Sequence, residues 1–442
     1  MTGSSRLIIG KVLLLAAVVL VAPVTMPQAK AQEAGGNAVA LTLQQAQDYA
    51  LEHNRTIANA SIDIQKAEAS RWQNIASMLP QVSASADYSN YFGYMIDFGA
   101  MQLAMPPFVS MGITTSVALT GGQIVSVGIA NLSRKMSDIT LLKTEQEICD
   151  QVKQLYYSAL VMQKTLDLLQ ESRDSMQKLY EFSQKSVDVG VSEQTAADQL
   201  LVQVITMDDN ITSTRRSLEM VYNSMRLLLD IDVESDIVLL EGLDRLVDRD
   251  SMADVLNVPF NVEDNYSFRL LKASTELSRK QIALTGWSAG PSLSVYHQYT
   301  GKYYFSDESR MDMTPPNMLG VSLKVPIFTS LKTTKAIESA KYNYKQQLNT
   351  LENTELSLKV QYRQLAYNLS SALERYDTQS KNVEVAQRVF DNTARKYEHG
   401  VASSLDVTNA GTTLISAQSS YVQALLEIVN ARISLEQLLN RQ

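Results

Sequence analysis

The chain has 442 residues, with 47 acidic side chains against 39 Lys and Arg and a formal net charge of −8. The basic residues are scattered rather than clustered, so we predict no nucleic-acid partner. Its one cysteine, Cys149, excludes a framework of disulfide bonds within the chain. The sequence contains no nucleophile elbow, phosphate-binding loop or zinc-protease motif, and we therefore predict no enzyme activity, no cofactor and no metal site.

The N-terminal residues 1–31 have the pattern of a secretory signal peptide. Arg6 and Lys11 precede an apolar run at 12–21, and an A-x-A cleavage site ends at Ala31. The run is too short for a membrane-spanning helix, which needs roughly 18 or more apolar residues, and no other segment approaches that length. We therefore expect an exported mature protein without a transmembrane helix, which leaves a membrane β-structure open.

The mature chain alternates long helical patterns with short strand patterns. Apolar residues at steps of three and four predict a first helix from Thr42 to Met78, which Pro80 stops. The period then changes to two, which predicts strands at about 81–91 and 111–119 around an irregular loop. From Ile129 to Val189 there is neither Gly nor Pro, and a seven-residue apolar repeat predicts a helix about 90 Å long.

Two segments follow this first long helix. Gly190 ends it, and another helix is predicted from about Glu193 to Leu229. Acidic residues then crowd the region 230–254, which we interpret as a solvated connector with minor local structure. A calcium site is poorly supported there, because the acidic spacing does not match an EF-hand loop.

The second half of the chain repeats the first about 210 positions later. Pro291 corresponds to Pro80, and Gly400 corresponds to Gly190. Strands are predicted at about 291–304 and 319–328, and a second Gly- and Pro-free stretch predicts a helix about 100 Å long from Ile327 to His399. Near-constant offsets indicate a duplication. The predicted units are a first repeat at 32–230, a connector at 231–265 and a second repeat at 266–442.

The predicted strands have one apolar and one polar face. Val321, Leu323 and Val325 alternate with Ser322 and Lys324, as in a transmembrane barrel, although an ordinary sandwich edge has the same alternation. Four strands cannot close a membrane barrel, and open sheet edges are not tolerated in lipid. Very long helices also need neighbours along their length. We therefore predict a cyclic oligomer in which a β-barrel continues into a barrel of helices.

Three stretches resemble the TolC-type outer-membrane efflux proteins, namely LTLQQAQDYALEHNRTIANASIDIQKAEASRWQNIASMLPQVSAS, LGVSLKVPIF and YEHGVASSLDVTNAGTTL. The resemblance extends over essentially the whole mature chain. It implies a mostly α fold with a membrane β part, in which each chain of a homotrimer contributes four strands to a twelve-stranded barrel in outer-membrane lipid. It also implies long antiparallel helices that form a periplasmic α-barrel, and an equatorial domain at about 231–265, in a Gram-negative bacterium.

The resemblance further implies a function and partners. The chain would be the outer-membrane component of a tripartite efflux pump or a type I secretion system. It would act as a passive duct that receives substrates from an inner-membrane transporter through a periplasmic adaptor, or membrane fusion, protein.

The resemblance places two functional regions at the periplasmic end. The turns Gly190-Val191-Ser192 and Gly400-Val401-Ala402 would be the adaptor-docking tips. Family members often carry a V-D-V-L-D-A run after the second tip, and its two carboxylates ring the gate. Here Asp406 matches the first carboxylate and Asn409 departs from the second, while Tyr397 matches a tyrosine that holds the entrance shut.

Two positions of the expected charged lock between the hairpins carry alanine. Ala402 replaces a basic residue at the second tip, and Ala196 replaces an acidic residue in the first repeat. We therefore expect this gate to depend more on packing than on ion pairs. Asp406 would in any case serve as a helix N-terminal cap.

Two other functions remain open at this point. The first is a porin-like channel that acts without an adaptor. The second, from another class, is a secreted trimeric structural coiled coil without a membrane role. The strands favour a channel, because a structural rod has no need for two matched pairs of alternating strands.

Overall fold

A computed structural model describes residues 39–97, 99, 102–243, 254–305 and 315–440. The predicted signal peptide at 1–31 lies outside these residues. Among the residues that the structure describes, none of the helices is both long and apolar enough to cross a membrane.

The first half of the chain contains four helices and five strands within the described residues. They are β1 (Val39–Leu41), α1 (Leu43–His53), α2 (Arg55–Ala76), β2 (Gln81–Ser89), β3 (Met95–Asp97), β4 (Gln102–Ala104), β5 (Phe108–Thr120), α3 (Gly121–Asp188) and α4 (Gln194–Leu229).

The second half repeats the order of helix, two strands and two helices. Its elements are β6 (Ile237–Leu239), a 3₁₀ turn (Val262–Asp264), α5 (Tyr266–Trp287), β7 (Ser292–Tyr304), β8 (Asn317–Lys324), α6 (Lys332–Glu398) and α7 (Ser404–Leu438).

The helix predicted from Thr42 to Met78 is divided at Asn54, and the prediction of one continuous helix is wrong. Asn54 has extended backbone angles, and its side-chain oxygen accepts hydrogen bonds from the amides of Thr56 and Ile57 at 2.8 and 3.4 Å. Its Nδ2 donates to the carbonyl of Leu228 at 2.7 Å. A buried side chain that caps α2 and also reaches α4 therefore sets the break.

The same device occurs in the second half. Asn265 caps α5 through the amide of Phe268, and its Nδ2 donates to the carbonyl of Leu438 at 3.3 Å. The duplicated sequence thus places an asparagine at the start of one helix against the C-terminal end of a partner helix in both halves.

The two longest helices do not start at the residues that the Gly- and Pro-free stretches predict. α3 has 68 residues and begins at Gly121, because Thr120 and Gln123 form a reciprocal capping box. α6 has 67 residues and begins at Lys332 after Leu331 in the left-handed conformation. Both helices are about 100 Å long at 1.5 Å per residue.

One antiparallel sheet contains the four predicted strands in the order β2-β5-β7-β8. The register places Gly112 opposite Thr300, and Val295 opposite Val321. β8 ends at Lys324, before the expected end at 328, since the following Pro326 has no amide to donate to a strand ladder. Among the described residues, β2 and β8 each have one edge without a partner strand in this sheet.

The connector contains one short strand within its described residues, and this strand pairs with the chain's first described strand. β6 pairs in parallel with β1, and Ile237 lies opposite Val39. Ile237 is buried, and Tyr156 of α3 donates a hydrogen bond to the carbonyl of Leu41 at 3.1 Å. The interpretation of 230–254 as a solvated connector with minor local structure is therefore wrong at the buried Ile237, and residues 244–253 of this region lie outside the described part of the chain.

Four apolar clusters lie along the helices within the described residues, and two of them position the elements discussed below. The first packs α1, β1 and β6 against the middle of α3 and the end of α4. The second, here called the tip core, joins all four helices of the far end. Its buried members are Met176, Leu179, Leu200, Val204, Met207, Ala386, Phe390, Val407, Ala410, Leu414 and Ala417.

Candidate functional site

The helices α3 and α4 form a first hairpin, and α6 and α7 form a second, with similar turns at both tips. Gly190 has a φ of 76° and Gly400 a φ of 71°, in the left-handed region that glycine adopts without steric cost. The amide of Val191 donates to the carbonyl of Ser186 at 2.8 Å. These are the hydrogen bonds of a Schellman motif, which ends a helix sharply.

The second tip has the same hydrogen bonds. The amide of Val401 donates to the carbonyl of Lys396 at 2.8 Å. The amide of Gly400 donates to the carbonyl of Tyr397 at 2.9 Å. Val191 and Val401 are 81% and 75% exposed, so each tip presents an apolar side chain to solvent in the isolated chain. Ser192 and Ala402, the other predicted tip residues, are half-buried.

Tyr397 joins the two hairpins just above the tips. Its hydroxyl donates to the Oγ of Ser183 at 2.8 Å, and its ring meets the ring of Phe182 edge-on at 5.9 Å. Ser183 lies on α3 and is completely buried. The structure therefore gives the predicted gate tyrosine a specific partner on the first hairpin.

Further polar contacts between the hairpins also involve uncharged groups. Ser404 donates to the side-chain oxygen of Gln199 at 3.1 Å. Farther from the tips, the side chains of Ser172 and Gln418 exchange hydrogen bonds at 3.1 and 3.2 Å, and both residues are buried. Together with the tip core, these uncharged contacts join the two hairpins between the tips and the level of Ser172.

Sequence reasoning missed Ser183, although a signal for it was present. The seven-residue apolar repeat of α3 reaches Met176, and the next position in that series is 183. A serine in an apolar seam faces the partner helix and needs a hydrogen bond there.

Gly411 was also missed, and it has a packing role in the tip core. A Cβ at this position would lie 2.3 Å from Cε of Met176. The absence of a side chain on Gly411 therefore lets Met176 approach the backbone of α7.

Asp406 lies in the first turn of α7 and is exposed. Its carboxylate accepts from the amide and the hydroxyl of Ser403 at 2.9 and 2.7 Å, and the Ser403 hydroxyl accepts from the Asp406 amide. The hydrogen bond from the Ser403 backbone, followed by that from its side chain, lowers the pKa of Asp406. Asp406 therefore caps its helix and stays ionised at neutral pH. Asn409 is exposed one turn later.

The predicted gate and tip residues of the second hairpin lie together at its turn. Tyr397, Gly400 and Asp406 surround the second turn, and the Tyr397 hydroxyl reaches the first hairpin. Ala196 and Ala402 stand where the resemblance implies a charged lock. In the part of the chain that the structure describes, no group of three or more His, Cys, Asp or Glu side chains has an arrangement that would hold a metal ion.

The sequence profile of the Outer membrane efflux protein family matches residues 46–229 and 263–441. The chain belongs to this family. It is 20% identical over 377 residues to the outer membrane protein TolC of Vibrio cholerae, and the match covers 82% of each protein. The predicted family is therefore confirmed, and a secreted structural coiled coil does not fit it.

Solved structures share the fold of this family member. A crystal structure of CusC, described as forming a transmembrane channel, superimposes with a TM-score of 0.74 at 17% identity and covers 94% of this chain and 96% of its own. The outer membrane protein VceC of Vibrio cholerae gives a TM-score of 0.73 at 12% identity over 90% of this chain and 96% of its own. The predicted fold class, mostly helical with a β part, is confirmed.

Proposed function

We propose that the chain is one protomer of a homotrimeric efflux duct, with its sheet in outer-membrane lipid and its helical part in the periplasm. The observation that carries the proposal is the four-stranded sheet with an unpaired edge on β2 and another on β8. In lipid, such edges must find strands. Three copies joined edge to edge supply twelve strands, enough to close a barrel.

The helices support the same assembly. Leu356, Val360 and Tyr367 of α6 are 63%, 60% and 74% exposed in the isolated chain. An exposed apolar stripe on a helix of this length calls for a neighbouring helix. In the proposed trimer the repeats 32–230 and 266–442 supply the long helices of the α-barrel. The connector 231–265 contributes to an equatorial domain around that barrel.

The docking proposal rests on the two tips. Gly190-Val191-Ser192 and Gly400-Val401-Ala402 present the same backbone geometry and an exposed valine each. A periplasmic adaptor with matching apolar pockets would cover these valines, and an inner-membrane transporter would deliver the cargo. The duct itself then needs no catalytic group.

The proposed gate combines a hydrogen bond between the two hairpins of each chain with a ring of three carboxylates in the trimer. The hydrogen bond from Tyr397 to Ser183 would hold the hairpins of each chain together in the closed state. Three Asp406 carboxylates, exposed and ionised, would favour cations at the entrance. Asn409 contributes no charge, so this field is weaker than that of two carboxylate rings.

Export after a double substitution at the tips tests the function. Val191→Asp with Val401→Asp should abolish adaptor-dependent export of a known pump substrate while the trimer persists on semi-native gels. Val233→Asp is the control, because this connector valine is also 73% exposed and lies away from the tips. Unimpaired export by the tip variant would contradict docking.

Location and selectivity have separate tests. Fractionation should recover the mature protein with the outer membrane, and recovery in the soluble periplasm would overturn the duct. In planar bilayers, Asp406→Asn should reduce cation preference and divalent-ion block, whereas Asp198→Asn, another exposed acid near the tip, should not. Equal behaviour of the two variants would remove Asp406 from the gate. Export that persists without any adaptor would favour a porin-like channel.

A further inference from the structure

A buried charged cluster lies between α3 and the last turns of α7, outside the gate and the tips. Lys153 donates to one carboxylate oxygen of Glu436 at 2.9 Å, and Arg432 donates to the other at 2.8 Å. The side chains of Lys153 and Glu436 are only 10% and 9% exposed. Burial opposes ionisation of Glu436, but Lys153 and Arg432 outweigh it and lower the pKa of this carboxyl. Both cations therefore bond to a single carboxylate.

Asp150 is the member of the cluster without a bonded cation. It lies on α3 one turn before Lys153, is 5% exposed, and its Oδ2 has no hydrogen-bond partner. It lines a cavity of about 220 Å³ between α3 and α7. Apart from the acidic Glu147 at its rim, that cavity is lined by neutral residues: Gln151, Gln154, Asn430, Ile433, Ser434 and Gln437.

The charged groups around Asp150 do not compensate an ionised carboxylate. On α3, Lys153 attracts it and Glu147 repels it, and on α7 Glu436 repels it. Burial is the largest influence and raises the pKa of Asp150 from 3.8 to about 7.

The other titratable groups near this position do not change that balance. The pKa of the adjacent Cys149 thiol is raised to about 11, first by burial, so this thiol stays neutral. Asp48 of α1 acts on Cys149 and adds only negative charge. On α3, Tyr157 also has a raised pKa, owing first to its burial, and stays neutral.

We propose that Asp150 is a proton-binding site that controls how tightly α3 packs against α7. As a neutral acid, Asp150 can donate its proton to an oxygen of the amide-lined cavity, so its buried oxygen is satisfied. As a carboxylate, it leaves a buried charge without a bonded cation beside Glu436, and water must enter the cavity to solvate it. This proposal concerns the packing within one chain and does not rest on adaptor docking.

The sign of the pH dependence follows from the two states. The unfolded chain releases the proton of Asp150 near pH 4, whereas the folded chain keeps it until about pH 7. Between these values the folded state binds the extra proton, so the protein loses stability as pH rises. Within that window the unfolding constant should increase up to about tenfold per pH unit from this residue, and above pH 7 the loss is complete.

Unfolding of the full-length trimer in detergent between pH 5 and pH 8.5 tests the proposal. The wild type should lose thermal stability across pH 5–7 relative to Asp150→Asn, a neutral residue of the same size, and the gap should be constant above pH 7. Glu147→Gln is the control on the same cavity, because Glu147 is 46% exposed on its side chain. Its stability should fall with pH as that of the wild type does, with a slightly lower midpoint because one of the charges that repel Asp150 is removed. An Asp150→Asn profile parallel to the wild-type profile would overturn the proposal.

Hydrogen exchange of the wild-type protein tests the proton-controlled contact between α3 and α7 even if Asp150→Asn fails to fold. After correction for intrinsic rates, peptides from 146–154 and 430–437 should exchange faster at pH 8 than at pH 6. The tip peptide 186–192 should show no such difference. Equal protection of the first two peptides at both pH values would refute the proton-controlled contact.

Discussion

The contact between Tyr397 and Ser183 yields a quantitative prediction about gating. Tyr397→Phe keeps the ring against Phe182 and removes only the hydroxyl that donates to Ser183 at 2.8 Å. A hydrogen bond of this kind contributes about 1 kcal/mol net. If the three chains of the proposed trimer open together, the loss is about 3 kcal/mol, which shifts the closed-to-open equilibrium about 150-fold towards the open state.

The two partners should respond unequally. Ser183 is completely buried, so Tyr397→Phe leaves its oxygen without this donor and without water. Tyr397 is only half-buried, so in Ser183→Ala its hydroxyl can turn to solvent. We therefore expect Tyr397→Phe to open the channel more than Ser183→Ala. The double variant should be no more open than Tyr397→Phe alone, with a coupling energy of about 1 kcal/mol per chain.

Single-channel recordings in planar bilayers measure the open fraction directly, and sensitivity of cells to large antibiotics measures leak. Tyr342→Phe is the matched control, since its hydroxyl donates to Glu338 on the same helix at an exposed site. An open fraction for Tyr397→Phe equal to that of Tyr342→Phe would show that the bond to Ser183 does not hold the gate.

Four single substitutions, one of them also combined with a second change, test the fold itself. Gly190→Ala should destabilise the first tip by about 1–2 kcal/mol through its positive φ alone, because a Cβ there meets nothing within 4 Å. Gly128→Ala lies inside α3, where a Cβ would make an ordinary van der Waals contact, and should instead stabilise the helix by up to about 1 kcal/mol. Hydrogen exchange should therefore become faster in the first-tip segment of Gly190→Ala and slower in the α3 segment of Gly128→Ala. Lys153→Met should lower the free energy of unfolding by about 3 kcal/mol in denaturant titrations, because Glu436 keeps only one cation. Adding Glu436→Gln to the same chain should recover part of this loss. A double variant without any recovery would contradict the pairing of Lys153 with Glu436. Asn54→Ala should cost about 2 kcal/mol, and a loss below 0.5 kcal/mol would show that the cap does not set the helix break.

The presence of the two very long helices and the position of the tips could be predicted from the sequence alone. Both depend on local rules, since periodicity and the absence of proline make a helix and a glycine with positive φ ends it. The strands next to Pro80 and Pro291 were predictable for the same reason. Repetition at about 210 positions then linked the two halves before any contact was known.

The starts of the helices were less predictable, because side chains set them. Thr120 and Gln123 cap α3 through a local box, which outweighs the propensity of Gly121. Asn54 caps the second helix locally, and its Nδ2 also donates to the carbonyl of Leu228, 174 positions away, which no local pattern predicts.

Contacts between distant segments were decided by the tertiary structure alone. The pairing of Ile237 with Val39, the hydrogen bond from Tyr397 to Ser183, 214 positions away, and the ion pair of Lys153 with Glu436 have no local signature. Periodicity indicates which side of a helix is buried, but it does not say which helix lies against that side. For this protein the sequence alone determined the long helices and the turns between them. Only the packing of one helix on another decided which polar groups are buried and which groups form hydrogen bonds or ion pairs with them.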